Sequence, residues 1–124
     1  MQETFKKQEK LKKSKLIDKL FANGKSLTVF PIKLIYLKTD HQSPYKIQAG
    51  VTVSKRNFKK AVDRIRVKRL LREVYRKNKY IIYDSENTKK HIFMFIYLGK
   101  TEFEYHVLED KMKLLLQKFI LKKN

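Results

Sequence analysis

The order of the predicted elements indicates an α+β sandwich: a helix, two or three strands, a second helix, a strand and a final helix. Three observations support this fold. Apolar residues recur with helical spacing in residues 61–76 and again near the C-terminus. Residues 91–98 form a continuous apolar run, which is typical of a strand buried on both faces. A strand–helix–strand passage through residues 61–76 implies one crossover in a mostly antiparallel sheet.

Composition limits the class of protein. The chain has 124 residues and 42% hydrophobic content, enough for one domain (1–124) with a modest core. Its net charge of +19 favours phosphate backbones, although an anionic membrane surface would also attract it. The absence of cysteine excludes disulfides, thiolate metal sites and a cysteine nucleophile. With no apolar signal segment and no apolar run long enough to span a bilayer, we expect a soluble, cytoplasmic protein without a membrane partner.

The N-terminal half begins with a basic stretch, residues 1–13, which is either a loose arm or an extended segment pinned by Phe5. Ser14 is predicted to cap a short helix, and Gly24 to end it in the left-handed conformation. Residues 27–38 are rich in β-branched and aromatic residues and predict one bent strand or two short ones. After a turn at residues 39–44, residues 47–54 read as another long strand.

The C-terminal half is more regular. After the helix at 61–76, residues 77–83 either extend the helix or contain a short strand at 80–83, and the helical interpretation is favoured. Thr101 and Glu104 match a capping box for the final helix. Helical spacing predicts a core stripe in that helix, made of Leu108, Met112, Leu115 and Phe119.

The helix at 61–76 carries two faces. Its apolar stripe consists of Val67, Leu70, Leu71 and Val74, and a row of cations lies elsewhere on its surface: Arg64, Lys68, Arg72 and Arg76, with Arg69 beside them. Like charges four residues apart repel, so the row weakens an isolated helix. Only Asp63 and Glu73 interrupt the positive run, which favours a nucleic-acid partner over an ordinary solvated face.

Residues for catalysis are sparse. His41, His91 and His106 lie far apart in the sequence, match no metal-ligand spacing, and suit surface or packing roles. Asp63 and Glu73 share a helix but are separated by about 15 Å along its axis, too far to share a metal. We therefore expect that this chain does not itself cleave phosphodiester bonds.

Two stretches together resemble the signature of the bacterial ribonuclease P protein subunit. Val53-Ser54-Lys55-Arg56 matches its V-S-K-K/R strand end, and residues 61–73, AVDRIRVKRLLRE, match its A-V-x-R-N-R-x-K-R-x-x-R-E helix. Lys10-Leu11-Lys12 and the Phe21/Gly24 end of the first helix match more weakly. Ile65 departs from the family asparagine, and Asn57–Lys60 lacks the glycine often found there.

The resemblance implies a left-handed β-α-β crossover and a division of labour in which the RNA subunit is the catalyst. The protein would bind the catalytic RNA and the 5′ leader of precursor tRNA, and would improve the use of Mg²⁺, which is held mainly by RNA. No obligate protein partner is implied. By position, the residues that would face the catalytic RNA are Lys55, Arg56, Arg64, Arg66, Lys68, Arg69, Arg72 and Arg76. Among these, Arg66 points further round the helix.

The resemblance also places a cleft for the leader between the first helix and the sheet. Candidate lining residues are Phe21, Tyr36, Thr52 and Ser54. An aromatic and hydroxyl-lined groove suits single-stranded RNA, because bases stack on rings and hydroxyls meet phosphate or 2′-OH groups. For Phe21 a core position is an equal alternative. Tyr36 shares strand parity with Ile32 and Leu34, which favours the core.

Two other functions stay open at this point. A ribosomal or other structural RNA-binding protein fits the composition, and only the motif disfavours it. A protein-only nuclease is disfavoured by the missing acidic cluster and histidine pair. A further expectation concerns Ile65, which lies between Lys68 and Arg69 in azimuth and should therefore be at least partly exposed.

Overall fold

The computed structural model describes residues 4–85 and 88–122. A 3₁₀ turn at Lys7–Glu9 precedes four α-helices and four strands. In chain order these are α1 (Ser14–Asn23), β1 (Lys25–Val29), β2 (Ile32–Lys38), β3 (Ile47–Val53), α2 (Ala61–Asn78), α3 (Tyr80–Tyr83), β4 (His91–Tyr97) and α4 (Tyr105–Lys122). The predicted α+β order is confirmed. Residues 27–38 resolve into two strands, and residues 80–83 are helical.

The four strands form one sheet in the order β1-β2-β4-β3. The β1/β2 and β2/β4 pairs are antiparallel, whereas β3 and β4 are parallel neighbours. The passage from β3 through α2 and α3 to β4 is therefore the predicted crossover. The left hand of that crossover stays a prediction.

The main core lies between one face of the sheet and the helices α2 and α4. Phe93 and Phe95 of β4 are fully buried on this face, and the Phe93 and Phe119 rings lie 4.9 Å apart. All four residues of the predicted α4 stripe are buried. On the opposite face, Ile92 and Met94 pack with Leu11 and with Leu20 of α1. The prediction that this strand is buried on both faces is confirmed.

Residues 1–13 were predicted to be either a loose arm or an extended segment pinned by Phe5, and residues 1–3 lie outside the described residues. The described part, residues 4–13, is pinned. The Phe5 ring packs edge-on against Tyr75, with 5.7 Å between centroids. Further on, the Leu11 N–H donates to the Ala49 carbonyl of β3 at 2.9 Å. This segment consequently runs along the free edge of β3, while the other edge of β3 pairs with β4.

Three predicted helix ends are wrong in detail. Ser14 is the first helical residue of α1, and the capping position belongs to Lys13, which makes no side-chain capping bond. Gly24 is extended, with φ of −72°, instead of left-handed. A glycine is required at this position for lack of space, because a Cβ would lie 2.4 Å from the Leu20 carbonyl oxygen.

The third wrong end is that of α4, which begins at Tyr105, so Thr101 does not cap it. The Tyr97 hydroxyl donates to the Thr101 carbonyl at 2.7 Å and accepts the Phe103 N–H at 3.0 Å. These bonds hold residues 101–103 outside the helix. Within the described ranges, no helix is long and apolar enough to cross a membrane.

Candidate nucleic-acid interface

The apolar stripe of α2 orients its basic face outward. Val67, Leu71 and Val74 are fully buried against the sheet, and Leu70 packs at the margin of the core. Arg69 and Arg72 are exposed, and Ile65 is 54% exposed among them. The predicted exposure of Ile65 is thus confirmed, and with it the orientation of the basic face.

Three of the α2 arginines are engaged within the protein. Arg66 pairs with Asp63 at 2.9 Å and with Glu102 at 2.8 Å. The hydrogen bond and negative charge of Glu102, followed by the charge of Asp63, raise the pKa of Arg66. Arg64 donates to the Phe58 and Lys59 carbonyls at 2.8 and 3.0 Å.

The third engaged arginine is Arg76, which forms two hydrogen bonds with Glu73 at 2.8 and 3.1 Å. The hydrogen bond from Arg76 is the main cause that lowers the pKa of Glu73. By contrast, Lys68, Arg69 and Arg72 form no ion pair with any acid in the described part of the chain. Their charges are available to an external phosphate.

A groove of about 260 Å³ lies at the free edge of β3, between the N-terminal segment, α1 and α2. We call it the edge groove. Its apolar floor includes Leu11, Ile17 and Met94. The complete lining is Phe5, Lys10, Leu11, Lys12, Ile17, Ala49, Gly50, Val51, Arg72 and Met94. Cations at Lys10, Lys12 and Arg72 thus border an apolar surface, an arrangement suited to a base with its phosphate.

Gly50 keeps part of the groove open. A Cβ at this position would approach the Met94 Cε to 3.1 Å and Leu11 Cβ to 3.7 Å. Since side chains alternate along a strand, Thr52 lies on the same face of β3 as Gly50. Thr52 is half-buried, and Ser54, just past the strand, is exposed. Thr52 and Ser54 therefore follow Gly50 along β3 and just beyond its end.

Two of the predicted leader residues had an alternative place in the core. Phe21 is 51% exposed on α1, the helix that packs on the Gly50 side of the sheet, so the core alternative is wrong for it. Tyr36 is only 7% exposed, and its ring packs edge-on against Phe119 of α4 at 5.1 Å. Tyr36 shares a face with Ile32 and Leu34, and that face is covered by helices. Its assignment to the cleft is therefore corrected: Tyr36 is a core residue.

The connector between β3 and α2 presents two further cations. The Asn57 side chain donates to the Leu98 carbonyl at 3.3 Å, and the Phe58 ring lies 5.9 Å from that of Tyr97. These contacts anchor the connector without the glycine that the resemblance would supply. Lys55 and Arg56 are exposed before the anchor, and the Arg56 N–H donates to Ser54 Oγ at 3.0 Å.

The histidines occupy packing and surface positions, as predicted. His41 and His91 are buried, with hydrogen bonds to the carbonyls of Lys46 and Lys89 at 3.1 and 2.7 Å. His106 is exposed. Among the residues that the structure describes, no group of three His, Asp or Glu side chains could hold a metal ion.

Sequence reasoning missed most of the groove. Phe5, Ile17 and Met94 were not candidates, and Lys10–Lys12 entered only through the resemblance. A local signal existed, because Lys-Leu-Lys in an extended segment places one apolar side chain between two outward cations. That pattern indicates a chain lying on an apolar surface with its charges directed away from it.

A basic helix face beside a cation-bordered groove, on an α+β sandwich with one parallel crossover, defines a small protein suited to a polyanionic partner. The family model described as Ribonuclease P matches residues 5–120, and this chain belongs to that family. The resemblance seen in the sequence is confirmed.

Several similar proteins bear the name ribonuclease P protein component. The one from Porphyromonas gingivalis is 40% identical over 79 residues, which span 63% of this chain and 57% of that relative. The one from Chlorobium phaeobacteroides is 44% identical over 80 residues, 61% of this chain and 54% of that relative. These alignments thus span little more than half of either relative. The one from Caldanaerobacter subterraneus is 33% identical over 110 residues, 88% of this chain and 87% of the relative.

Two solved structures share the fold. The RNase P protein from Thermotoga maritima superposes with a TM-score of 0.71 at 23% identity, covering 89% of this chain and 96% of that one. The RNase P protein of Staphylococcus aureus gives a TM-score of 0.67 at 16% identity, with coverage of 89% and 94%. The similarity in each case extends over 89% of this chain.

Proposed function

We propose that this chain is the protein subunit of a ribonuclease P ribonucleoprotein. It binds the catalytic RNA and the 5′ leader of precursor tRNA, and it assists the endonucleolytic removal of that leader, which creates the mature 5′ end. The observation that carries the proposal is a basic face on α2 that ends at the edge groove. Lys68, Arg69 and Arg72 have no acid partner among the described residues, and Arg72 lines the groove. Family membership supports RNA as the polyanion.

The chemistry belongs to the RNA subunit in this proposal. When bound, mainly by RNA phosphates, Mg²⁺ would supply the chemistry that activates water for attack. The role of this chain is to bind and orient RNA. Because its positive charge offsets phosphate repulsion, the assembled particle needs less Mg²⁺ to fold and to bind substrate. We also propose a cytoplasmic location, where bacterial precursor tRNAs are made.

The outer face of α2 is the proposed docking surface for the catalytic RNA. Lys68, Arg69 and Arg72 contact phosphates directly, and Lys55 and Arg56 extend the surface onto the connector. Arg64, Arg66 and Arg76 are already hydrogen-bonded within the protein. RNA must compete with those partners, so these three contribute less per residue.

The leader is proposed to cross the free edge of β3 in the edge groove. Apolar side chains on its floor receive a base, and Lys10, Lys12 and Arg72 bind the neighbouring phosphates. From Gly50 the chain continues through Thr52, still in β3, to Ser54 just past the strand, and both hydroxyls can bond to phosphate or 2′-OH groups. Because Arg72 borders both the groove and the docking surface, it links the leader to the catalytic RNA.

Cleavage of a precursor tRNA tests the proposal in three mixtures: the RNA subunit alone, this chain alone, and both together. We expect no cleavage by the chain alone, and faster cleavage by the mixture than by the RNA, most clearly at low Mg²⁺. Shortening the leader to one nucleotide should remove most of the advantage. Cleavage by the chain alone would indicate a protein-only nuclease, and an RNA unaffected by the chain would favour a structural RNA-binding protein.

A further inference from the structure

A buried ion pair lies outside the interface described above. Glu9 in the 3₁₀ turn and Lys79 at the junction of α2 and α3 are each 2% exposed, and Lys79 Nζ lies 2.6 Å from Glu9 Oε2. The two residues are 70 positions apart in the sequence. Burying two charges is costly unless the remaining hydrogen-bonding capacity of both groups is satisfied.

That capacity is largely used. Glu9 Oε2 also accepts the Tyr83 hydroxyl at 2.7 Å, and Glu9 Oε1 accepts the Lys6 N–H at 3.1 Å. Lys79 Nζ donates a second bond to the Thr4 carbonyl. Burial, with smaller contributions from Tyr75 and from Glu9 itself, raises the pKa of Tyr83, so its hydroxyl remains a donor. The pair is therefore a built network rather than a chance contact.

The network fastens residues 4–12, which we call the N-terminal strap, to the helix that carries Arg72. The strap supplies Phe5, Lys10, Leu11 and Lys12 to one wall of the edge groove, and α2 supplies Arg72 to the other. The Glu9–Lys79 pair thus connects the two walls. Leu11 is bonded to β3, and the Ser43 hydroxyl donates to the Gln8 carbonyl at 2.6 Å.

The charge of the N-terminal segment explains why the Glu9–Lys79 ion pair matters for holding it in place. Residues 4–13 contain five lysines, and Glu9 is the one acid among them. In a chain with a net charge of +19, such a segment is repelled by the rest of the molecule. Glu9 supplies the attraction that holds this cationic strap against the sheet.

We infer that Glu9 and Lys79 are positioning residues for the leader: neither touches RNA, and together they set the width of the edge groove. The inference rests on the proposed function. A purely stabilising ion pair would lower every activity of the folded protein together. A positioning pair affects binding of the leader and leaves the docking of α2 on the catalytic RNA intact.

The decisive variant is Glu9→Gln, which keeps the side-chain shape and an oxygen for the Tyr83 hydroxyl but leaves the Lys79 ammonium without a counter-charge. The double variant Glu9→Gln/Lys79→Met removes both charges and should restore part of the packing. Glu104→Gln makes the same chemical change at an exposed side chain of the described chain and serves as the matched control.

Two measurements are made on each variant. Hydrogen exchange of the Leu11 amide reports release of the strap, because this N–H bonds to Ala49. Affinities of the assembled holoenzyme for precursor tRNA and for mature tRNA report the use of the leader. For Glu9→Gln we expect faster Leu11 exchange, precursor affinity lower by about tenfold, or about 1.4 kcal/mol, and mature-tRNA affinity unchanged. The double variant should recover much of both, and Glu104→Gln should match the wild type.

Three results would overturn the inference: unchanged Leu11 exchange, faster exchange with undiminished preference for precursor, or equal losses for precursor and mature tRNA. A wild-type holoenzyme that does not prefer precursor over mature tRNA would instead refute the proposed function. If Glu9→Gln does not fold, Glu9→Asp replaces it. That variant keeps the charge but shortens the side chain, and a smaller selective loss of precursor affinity is expected.

Discussion

Single side chains of the interface differ in what they can offer RNA. Ile65 projects from the centre of the basic face of α2, where it can make apolar contacts but neither donate nor accept a hydrogen bond. Arg66, one position on, is held by Asp63 and Glu102. Under the proposed function, the direct contacts with phosphate therefore fall to residues further along the helix, Lys68, Arg69 and Arg72.

Replacing Ile65 by asparagine tests this description. Because the side chain is exposed, Ile65→Asn should change the free energy of unfolding by no more than about 0.5 kcal/mol. Its affinity for the catalytic RNA should be kept or tightened, on the order of 1 kcal/mol if one net hydrogen bond forms. A thermal melt and a binding titration measure the two effects. Destabilisation above about 2 kcal/mol would mean that the basic face is wrongly oriented.

Gly24 provides a second test at one position, concerning the fold. A methyl group there would lie 2.4 Å from the Leu20 carbonyl oxygen and 2.7 Å from Ile35 Cγ2. Both neighbours are part of packed structure, so Gly24→Ala should destabilise the protein by about 1–3 kcal/mol. Chemical denaturation measures the change in the free energy of unfolding. If Gly24→Ala were neutral, the turn after α1 would have to be more open than described.

The regular elements follow closely from local pattern. In α2 and α4 the apolar residues recur every three or four positions, and most of the residues that this spacing selects are buried. The ends of the helices do not follow in the same way. Thr101 has the sequence of a cap, yet the Tyr97 hydroxyl bonds to its carbonyl and delays α4 to Tyr105. A tertiary contact overrides the local signal here.

In the candidate site, too, the features within one element could be predicted from the sequence, and those that depend on tertiary contacts could not. The proposed docking cations Lys68, Arg69 and Arg72 lie on one helix, so their common face could be predicted from periodicity. The edge groove is assembled from Phe5, Gly50, Arg72 and Met94, which lie far apart in the sequence. The pair Glu9–Lys79 joins the N-terminal strap to the end of α2 across 70 residues. Residue spacing along the sequence does not reveal contacts between such distant residues, so these contacts become visible only in the folded chain.

The free cations of α2 predict a steep salt dependence for binding of the catalytic RNA. The logarithm of the binding constant should fall with the logarithm of salt concentration by roughly 0.7–0.9 for each phosphate neutralised. Arg69→Ala and Arg72→Ala should each lower the affinity and reduce the slope by about one phosphate. Lys118→Ala, on the exposed side of α4, removes the same charge elsewhere and should leave the slope nearly unchanged. Salt-independent binding would exclude α2 as the docking surface.

The two proposed RNA-binding surfaces lie side by side, which makes their roles separable by mutation. The proposed docking face lies on the outside of α2, and the edge groove lies between α2 and the N-terminal strap. Arg72 borders both, whereas Arg69 and Gly50 each belong to one. Substitutions at Arg69 and Gly50 should therefore separate binding of the catalytic RNA from binding of the leader.

Gly50→Leu should fill the groove with little damage to the fold. The nearest atoms to a new Cβ are the flexible end of Met94, at 3.1 and 3.3 Å, which can move aside. The rest of the leucine then occupies the space proposed for a base. We expect holoenzyme affinity for precursor tRNA to fall toward that for mature tRNA, by about tenfold, with unchanged binding of the catalytic RNA.

Arg69→Ala should do the reverse, weakening assembly with the catalytic RNA while the surviving holoenzyme still prefers precursor. Two titrations measure these affinities: each variant against catalytic RNA, and each variant holoenzyme against precursor and mature tRNA. If either substitution lowers both bindings equally, the two surfaces act as one, and the groove is not a separate site for the leader.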